Sequence, residues 1–305
     1  MKEIRFAAFV MTYERPEVLL KTIDNLREQT FPPELILIID NSISRKTEIL
    51  LQKQSLNNLE YIRVGYNSGP AGASKIGLEK LTELGYDWIY WGDDDNPPRD
   101  NLVFEKMIQN IKELTGNGIK LGVFSGKGGY FNKFTGRIKS LTNFELKKAA
   151  FLEVDFVPGG HTLFVNSEIV KAGLLPDEKL FFGFEDLDLC FKIKNSPFKI
   201  YIDSQSWLKV RYKDNFVKDS YRWNNRSFGK KETLQREFYS KRNLLLIFFK
   251  NRYYFAFALL FIKSVGKMFL GYRYGRDYGN KMFHIQFNAL RAFFLKEYGM
   301  NGKLY

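Results

Sequence analysis

The 305-residue sequence contains one cysteine, Cys190, and two histidines, His161 and His284. A lone thiol excludes an internal disulfide framework, and so sparse a Cys/His set leaves no cluster for structural zinc. The N-terminal Met-Lys-Glu-Ile-Arg precedes a short apolar segment without a small-residue cleavage signature. No leader peptide is read there, and a cytoplasmic chain is expected. The longest charge-free apolar run of the C-terminal part, 253–262, is about half of what a membrane-spanning helix needs, so no span is expected. Residues 67–72 match neither the dinucleotide fingerprint nor a P-loop. Gly126-Lys-Gly-Gly129 lacks the upstream glycine and the following Ser/Thr, which leaves ATP hydrolysis without support.

What is present is basic and aromatic. Lys+Arg number 47 against 34 Asp+Glu, a formal charge of +13, and 45% hydrophobic with 16% aromatic residues excludes a disordered or collagen-like chain. The charge is uneven. Residues 1–205 carry 26 basic and 28 acidic side chains, whereas residues 206–305 carry 21 and 6, net +15, and hold 25 of the 50 aromatic residues. The length suits one large domain plus an extension, and the charge step divides it into 1–205 and a basic helical region 206–305. That region suits anionic lipid headgroups or nucleic acid, or serves as an ordinary helical subdomain or homo-oligomer interface.

Strand-length apolar runs at 4–11, 35–40, 61–64 and 88–91 alternate with helix-length segments at 16–29, 44–54 and 71–84. Pro16 suits the first turn of the first helix. The order β-α-β-α-β-α-β predicts a parallel α/β sheet, in which ligands sit beyond the carboxyl ends of the strands. Those ends are polar: Thr12-Tyr-Glu-Arg15, Asp40-Asn-Ser42, Tyr66-Asn-Ser-Gly-Pro-Ala-Gly72 and Asp93-Asp-Asp95. Four strand ends therefore converge on one crevice. Shorter strand-like pieces at 121–124 and 153–157 predict mixed or antiparallel edge structure. Asn166 or Ser167 caps a short helix to Ala172, Gly183-Phe-Glu-Asp opens another to Lys194, and the chain from Lys209 reads as helical.

Three adjacent carboxylates repel one another unless a cation sits among them. Alternate residues of an extended segment face the same way, so Asp93 and Asp95 address one site and Asp94 turns elsewhere. Oxygen ligands without a nearby histidine favour Mg²⁺ or Mn²⁺. By composition alone the triplet before Asn-Pro-Pro is also a solvated turn, but its place at a strand end favours the metal. The loop at 67–72 leads into a helix whose N–H groups can meet an anion, or is a plain connection. Glu185-Asp186-Leu-Asp188 stands at a helix start, where carboxylates cap favourably and Asp188 pairs with Lys192, or where one acid serves as a general base.

Val10-Met-Thr-Tyr-Glu-Arg-Pro, Ile39-Asp-Asn-Ser, Asn67-Ser-Gly-Pro-Ala-Gly, Trp91-Gly-Asp-Asp-Asp and Phe184-Glu-Asp-Leu-Asp-Leu-Cys, in this order, resemble a family 2 glycosyltransferase of the GT-A fold. Within that family the chain is most similar to bacterial rhamnosyltransferases and galactofuranosyltransferases of cell-surface polysaccharide synthesis. The match covers 4–205. Lys241-Arg-Asn243 also resembles a segment that follows the catalytic domain in these enzymes. The resemblance implies that Thr12, Tyr13 and Arg15 lie by the nucleotide and that Asp40 contacts its base. Asn67, Gly69 and Gly72 would border base and ribose. Asp93 and Asp94 would face the donor, and Asp93 and Asp95 would hold Mn²⁺ or Mg²⁺ at its diphosphate. Asp186 matches the catalytic base, with Glu185 the fallback. Gly159, Gly160, His161 and Trp207 would shape the acceptor side.

One departure concerns metal ligation. Many relatives place a histidine in a strand after the Glu-Asp motif, and the comparable stretch, 206–212, has none. Lys209 or Arg211 would then neutralise the diphosphate, and His161 is another candidate. The expected reaction is inverting transfer from a UDP- or dTDP-sugar (galactofuranose, rhamnose or a hexose) to a hydroxyl of a lipid-linked saccharide in capsule, O-antigen or cell-wall synthesis. The basic region would hold the enzyme at the inner face of the cell membrane. The competing reading is a nucleic-acid-binding protein using that region. It leaves the polar strand ends unexplained, so no nucleic-acid partner is expected. A catalytically silent sugar-nucleotide-binding module is opposed by the intact Asp93, Asp95 and Asp186.

Overall fold

Strand β1 (Phe6–Thr12) is buried at every position, because a parallel strand with helices on both faces has no solvent side. Its alternate residues feed two cores. Phe6, Ala8 and Val10 pack with Leu19, Ile23 and Phe104, while Ala7, Phe9 and Met11 pack with Leu78, Leu81 and Ile89. Each fully buried Phe contributes about 1.5–3 kcal/mol of transfer free energy, so β1 anchors both layers.

The computed structural model describes residues 4–54, 57–160, 162–214 and 234–300. After β1 come α1 (Pro16–Arg27), β2 (Ile36–Asp40), α2 (Lys46–Gln52), β3 (Leu59–Arg63), α3 (Gly69–Glu83) and β4 (Trp88–Asp93). This is the expected β-α alternation. Next come α4 (Val103–Gly116), β5 (Leu121–Ser125), the hairpin β6 (Gly129–Asn132) and β7 (Arg137–Ser140), α5 (Asn143–Leu146), β8 (Phe151–Glu153) and β9 (Leu163–Asn166). Then follow α6 (Ser167–Lys171), capped by the Asn166 side chain as expected, α7 (Glu185–Lys194), β10 (Lys199–Asp203) and α8 (Ser204–Lys213).

The main sheet has eight strands in the order β3-β2-β1-β4-β9-β5-β10-β8. Strands β1 to β4 pair in parallel, β9 runs antiparallel between β4 and β5, and β10 is parallel to β5. The mixed half expected after residue 120 is therefore real. Two features lay outside the sequence reading. Helix α4 buries Phe104, Met107, Ile108, Ile111 and Leu114 at helical spacing, and 206–212, compared above with a strand, is helical because Asp203 caps α8 by accepting from the Ser206 N–H at 2.8 Å.

Helices α9 (Leu234–Lys250), α10 (Tyr254–Leu270) and α11 (Arg276–Phe294) close the chain. They bury Leu245, Phe248, Met268, Leu290 and Phe293 in one cluster with Phe131, Leu187 and Phe191, so the C-terminal helices rest directly on α7. The charge-free run understates the length of the apolar helix. Among the described residues one helical stretch, Tyr254–Tyr274, is long and apolar enough to cross a membrane by length and composition. The count of charge-free residues missed it because Lys263 and Lys267 interrupt the run without ending the helix.

Candidate active site

The crevice is built from backbone turns that bring side chains of distant strands together. Strands β1 and β4 are neighbours in register, with Met11 opposite Asp93, so Thr12 and Asp94 follow side by side. Thr12 Oγ1 donates to Asp94 Oδ2 at 2.7 Å, and Thr22 Oγ1 on α1 donates to the Asp94 carbonyl at 2.6 Å. Arg15, just before α1, donates through one nitrogen to Asp94 and through the other to Asp95 at 2.6 Å. Asp94 is fully buried and Asp95 half exposed. Burial opposes the Arg15 cation, but the Asp95 hydrogen bond and the three carboxylates carry it above its ordinary value. Asp94 is nevertheless raised, chiefly by burial, so its partners compensate its charge incompletely.

Asp93 ends β4, while Asp94 and Asp95 form the turn after it. Asp94 does turn inward, away from the other two. Asp93 has no ion-pair partner among the described residues. Burial, then Asp95 and Asp94, push its carboxyl up to about 6. Gly160 lies against it: a Cβ there would come 2.0 Å from Asp93 Oδ2, and φ is +66°. Asn96 holds that glycine in place by donating to its carbonyl.

A partly buried carboxylate that forms no ion pair among the described residues, and an exposed Asp95 two residues on, fit a hard divalent ion. No three acidic, His or Cys side chains converge among the described residues. A cation here would take its remaining ligands from substrate oxygens and water, the common arrangement for Mg²⁺. Asp95 spends only Oδ2 on Arg15, which leaves Oδ1 to share in it.

Asp186 opens α7 across from Asp93. Its Oδ2 accepts from the Gly159 N–H at 3.0 Å and its Oδ1 from the Leu187 N–H at 2.7 Å. Burial raises it, and those N–H groups pull it partly back. Glu185 has one sealed oxygen without a partner among the described residues. Burial first, then the neighbouring Asp186, raise its carboxyl well above the ordinary glutamate value. Asp188 is structural. It takes Lys192 at 2.6 Å and the Asp177 N–H at 3.0 Å.

Asp40 is fully buried under the crevice, where its oxygens accept from the Ser42 N–H at 2.8 Å and the Tyr61 hydroxyl at 2.7 Å. Tyr13 is exposed at the rim, and Asn67 caps its own loop through the Gly69 N–H at 3.0 Å. Gly69 is required: φ is +69°, and a Cβ would lie 2.1 Å from the Phe181 carbonyl. At Gly72 a Cβ would meet the Ser68 side chain at 2.6 Å.

Trp207, Lys209 and Arg211 are on α8. They line a cavity at the ends of β4, β5 and β10, away from Asp40 and Gly69. Arg211 donates to the Leu141 carbonyl at 2.6 Å and lies 5.6 Å from the Trp207 ring. His161 lies outside the described residues.

Several residues that lie within the quoted motifs were given no role of their own in the sequence reading. Asn41 binds the Gly69 carbonyl at 3.1 Å and accepts from Ser68 Oγ at 2.7 Å. Glu14, at φ +54°, accepts from the N–H groups of Ile43 and Ser44, tying the ends of β1 and β2. Arg242 and Asn243, buried on α9, reach the loop before α7. Asn243 Nδ2 donates to the carbonyls of Leu180, Phe182 and Gly183 at 2.9–3.0 Å, and Arg242 to that of Leu180 at 2.9 Å. Phe181 and Phe184 hold positive φ of 60° and 71° within that loop. Non-glycine residues rarely adopt such angles unless the surroundings enforce them.

Comparison with known proteins agrees with this geometry. Residues 8–172, more than half of the chain, match the family described as glycosyl transferase family 2. The galactofuranosyltransferase GlfT1 of Mycolicibacterium smegmatis is 30% identical over 101 residues, and that of Mycobacterium tuberculosis 29% over 103. Each match covers 33% of this chain and about a third of the relative's own length. Residues 1–349 of S. aureus TarS in complex with UDP superpose with a TM-score of 0.50 at 14% identity, covering 96% of this chain and 92% of that one. The mannosyltransferase PcManGT of Pyrobaculum calidifontis, with GDP-Man and Mn²⁺, gives 0.54 at 11% identity, covering 97% and 88%. Those likenesses establish the GT-A fold. With more than half of the chain matching that family model, the chain belongs to glycosyl transferase family 2.

Proposed function

We propose that the enzyme transfers a sugar, with inversion, from a UDP- or dTDP-sugar to a hydroxyl of a lipid-linked saccharide in surface-polysaccharide synthesis. The observation that carries this reading is the placement of Asp186, whose two oxygens are aimed by the Gly159 and Leu187 N–H groups beside Asp93. A carboxylate so held can take the proton of an acceptor hydroxyl as that oxygen attacks the anomeric carbon. The bond to the leaving diphosphate breaks on the opposite side, which inverts the centre. Glu185, with one sealed oxygen that nothing among the described residues aims, is less suited to that role than Asp186. Thr12, Arg15, Asp40, Asn67 and Gly69 would form the nucleotide side. The UDP of one structural neighbour and the Mn²⁺ of another support a nucleotide donor with a divalent cation. Asp93 and Asp95 would hold that cation, which when bound offsets charge on the diphosphate. The likeness to galactofuranosyltransferases over a third of the chain favours a galactofuranosyl donor.

Peripheral attachment at the inner membrane face fits the net +15 of residues 206–305 and the exposed Phe255, Ile262, Phe269 and Phe294 on α10 and α11. Flotation with anionic liposomes tests this. Attachment unchanged by Lys/Arg-to-Glu substitutions in α10 and α11 would count against charge attraction.

The reaction is tested by thermal shifts with UDP, dTDP, GDP and CMP, each with Mn²⁺, Mg²⁺ or EDTA. A ligand at a hundredfold its Kd adds about 2.7 kcal/mol. Asp186→Asn is expected to keep the nucleotide shift and lose transfer. Full transfer by that variant would remove Asp186 as base.

A further inference from the structure

Beside the acid pair, at the carboxyl ends of β4, β5 and β10, lies a cavity of about 700 Å³ that the donor reading leaves empty. Its wall toward the reacting centre is the segment that runs through Pro158 and Thr162. The Gly159 N–H of the same segment aims Asp186, and its Gly160 abuts Asp93. Anything bound in the cavity is therefore one loop from the base.

The lining is basic, and its acids are already committed. Asp214 pairs with Arg99 at 2.9 Å, Asp203 accepts from Asn110 at 3.0 Å and caps α8, and Asp100 accepts from the Leu102 N–H at 3.0 Å. The other cations are not so engaged: among the described residues no carboxylate pairs with Lys106, Lys127, Lys209 or Lys213. Lys127 follows β5 and is largely enclosed. Burial, then the nearby Arg99 charge, lowers its ammonium below the ordinary lysine value. An anion in the cavity relieves both effects. Lysines suit a compact, multiply charged phosphate as point charges, whereas a lone carboxylate is better matched by the planar fork of arginine. Trp207, with Arg211 over its ring, supplies an apolar wall beside them.

We propose that this cavity binds a phosphate group carried by the acceptor, and that Lys127 and Lys209 hold it so that the acceptor hydroxyl reaches Asp186. The phosphate belongs either to the diphosphate joining a saccharide to its lipid or to a phosphate ester within the glycan. This rests on the donor occupying the β1–β4 side of the crevice, so UDP binding is measured first. A chain that binds no UDP fails the donor reading, and the titration below is then run without it.

With UDP and Mn²⁺ saturating, the full chain is titrated with galactose 1-phosphate and with neutral methyl galactoside. The phosphate ester is expected to bind while UDP stays bound, and the neutral glycoside not. Lys127→Gln and Lys209→Gln should each weaken it about tenfold, the worth of one charge-assisted contact. The exposed Lys53→Gln on the opposite half of the sheet should change nothing. Geranyl diphosphate and a glycerol phosphate oligomer then separate the two sources, the tighter binder naming the one in use. Equal binding of the neutral glycoside, loss of the phosphate ester when UDP enters, no binding, or indifference to both lysine substitutions overturns the proposal.

Discussion

The side-chain amide of Asn243 stands 3.0 Å from the Gly183 carbonyl, two residues before Glu185. One fully buried amide thereby ties the C-terminal helices to the turn that delivers Glu185 and Asp186. It also bonds the Leu180 and Phe182 carbonyls, which flank Phe181 with its left-handed backbone. The helices after the sheet thus reach into the active site.

Removing that amide should cost more in rate than in donor binding. Asn243→Ala takes a donor from the part-buried Phe182 and Gly183 carbonyls, while Leu180 keeps Arg242, a loss of about 2–4 kcal/mol. It also frees Phe184 to leave its strained angle. Transfer is expected to fall about 100-fold, the scale of a 1 Å misplacement, with UDP affinity nearly unchanged. Asn243→Asp, which sets a carboxylate against the same carbonyls, should be worse. Calorimetric UDP titration beside initial rates checks this. Equal losses in both would mean general unfolding.

Gly160→Ala is expected to block the crevice. The added methyl would strike Asp93, and the left-handed backbone costs an alanine about 1–2 kcal/mol more than glycine. Asp93 must then swing away. The nucleotide-induced thermal shift with Mn²⁺ should vanish, while the melting temperature without ligand falls only a few degrees. A preserved metal-dependent shift would show that Asp93 does not face the donor.

Stability should depend on pH in a direction set by Asp93. Its folded value of about 6 lies above the model-compound 3.8, so the native state binds more protons than the unfolded chain. Stability contributed by the protonated form is then lost as pH rises from about 4 through about 6. Glu185, Asp94 and Asp186 shift the same way. Asp93→Asn is expected to raise Tm by about 2–4 °C at pH 7.5 and by little at pH 4.5, while removing activity. Scanning calorimetry at the two pH values decides it. A lower Tm for the variant at pH 7.5 would mean that Asp93 is already compensated.

The strands at 6–12, 36–40 and 88–93 were legible because burial on both faces leaves continuous apolar runs, and the turns after them because polar residues there have no packing reason to exist. Helix α4 carries an apolar stripe at helical spacing, yet Asn-Pro-Pro ahead of it drew attention to the loop instead. Residues 206–212 were compared with a strand only through the family resemblance, whereas the helical reading from Lys209 onward agrees with α8, which the Asp203 cap starts at Ser204. The Thr12–Asp94 and Asn41–Gly69 contacts were out of reach, since they join residues 82 and 28 positions apart. Asn243 lies 60 positions from Gly183. Nothing local distinguishes an asparagine that clamps a loop from one that faces water.

The antiparallel strand β9, wedged between β4 and β5, gives the sheet a seam. On one side four parallel strands present Thr12, Asp40, Gly69 and Asp93. On the other, β5 and β10 present the lysine-lined hollow. The chain entering β9 carries Gly159 and Gly160 along that border, so one stretch of backbone runs between the two halves. With the donor on the first side and the acceptor on the second, as proposed, substitutions among the lysines would change what is glycosylated and leave the donor contacts as they are.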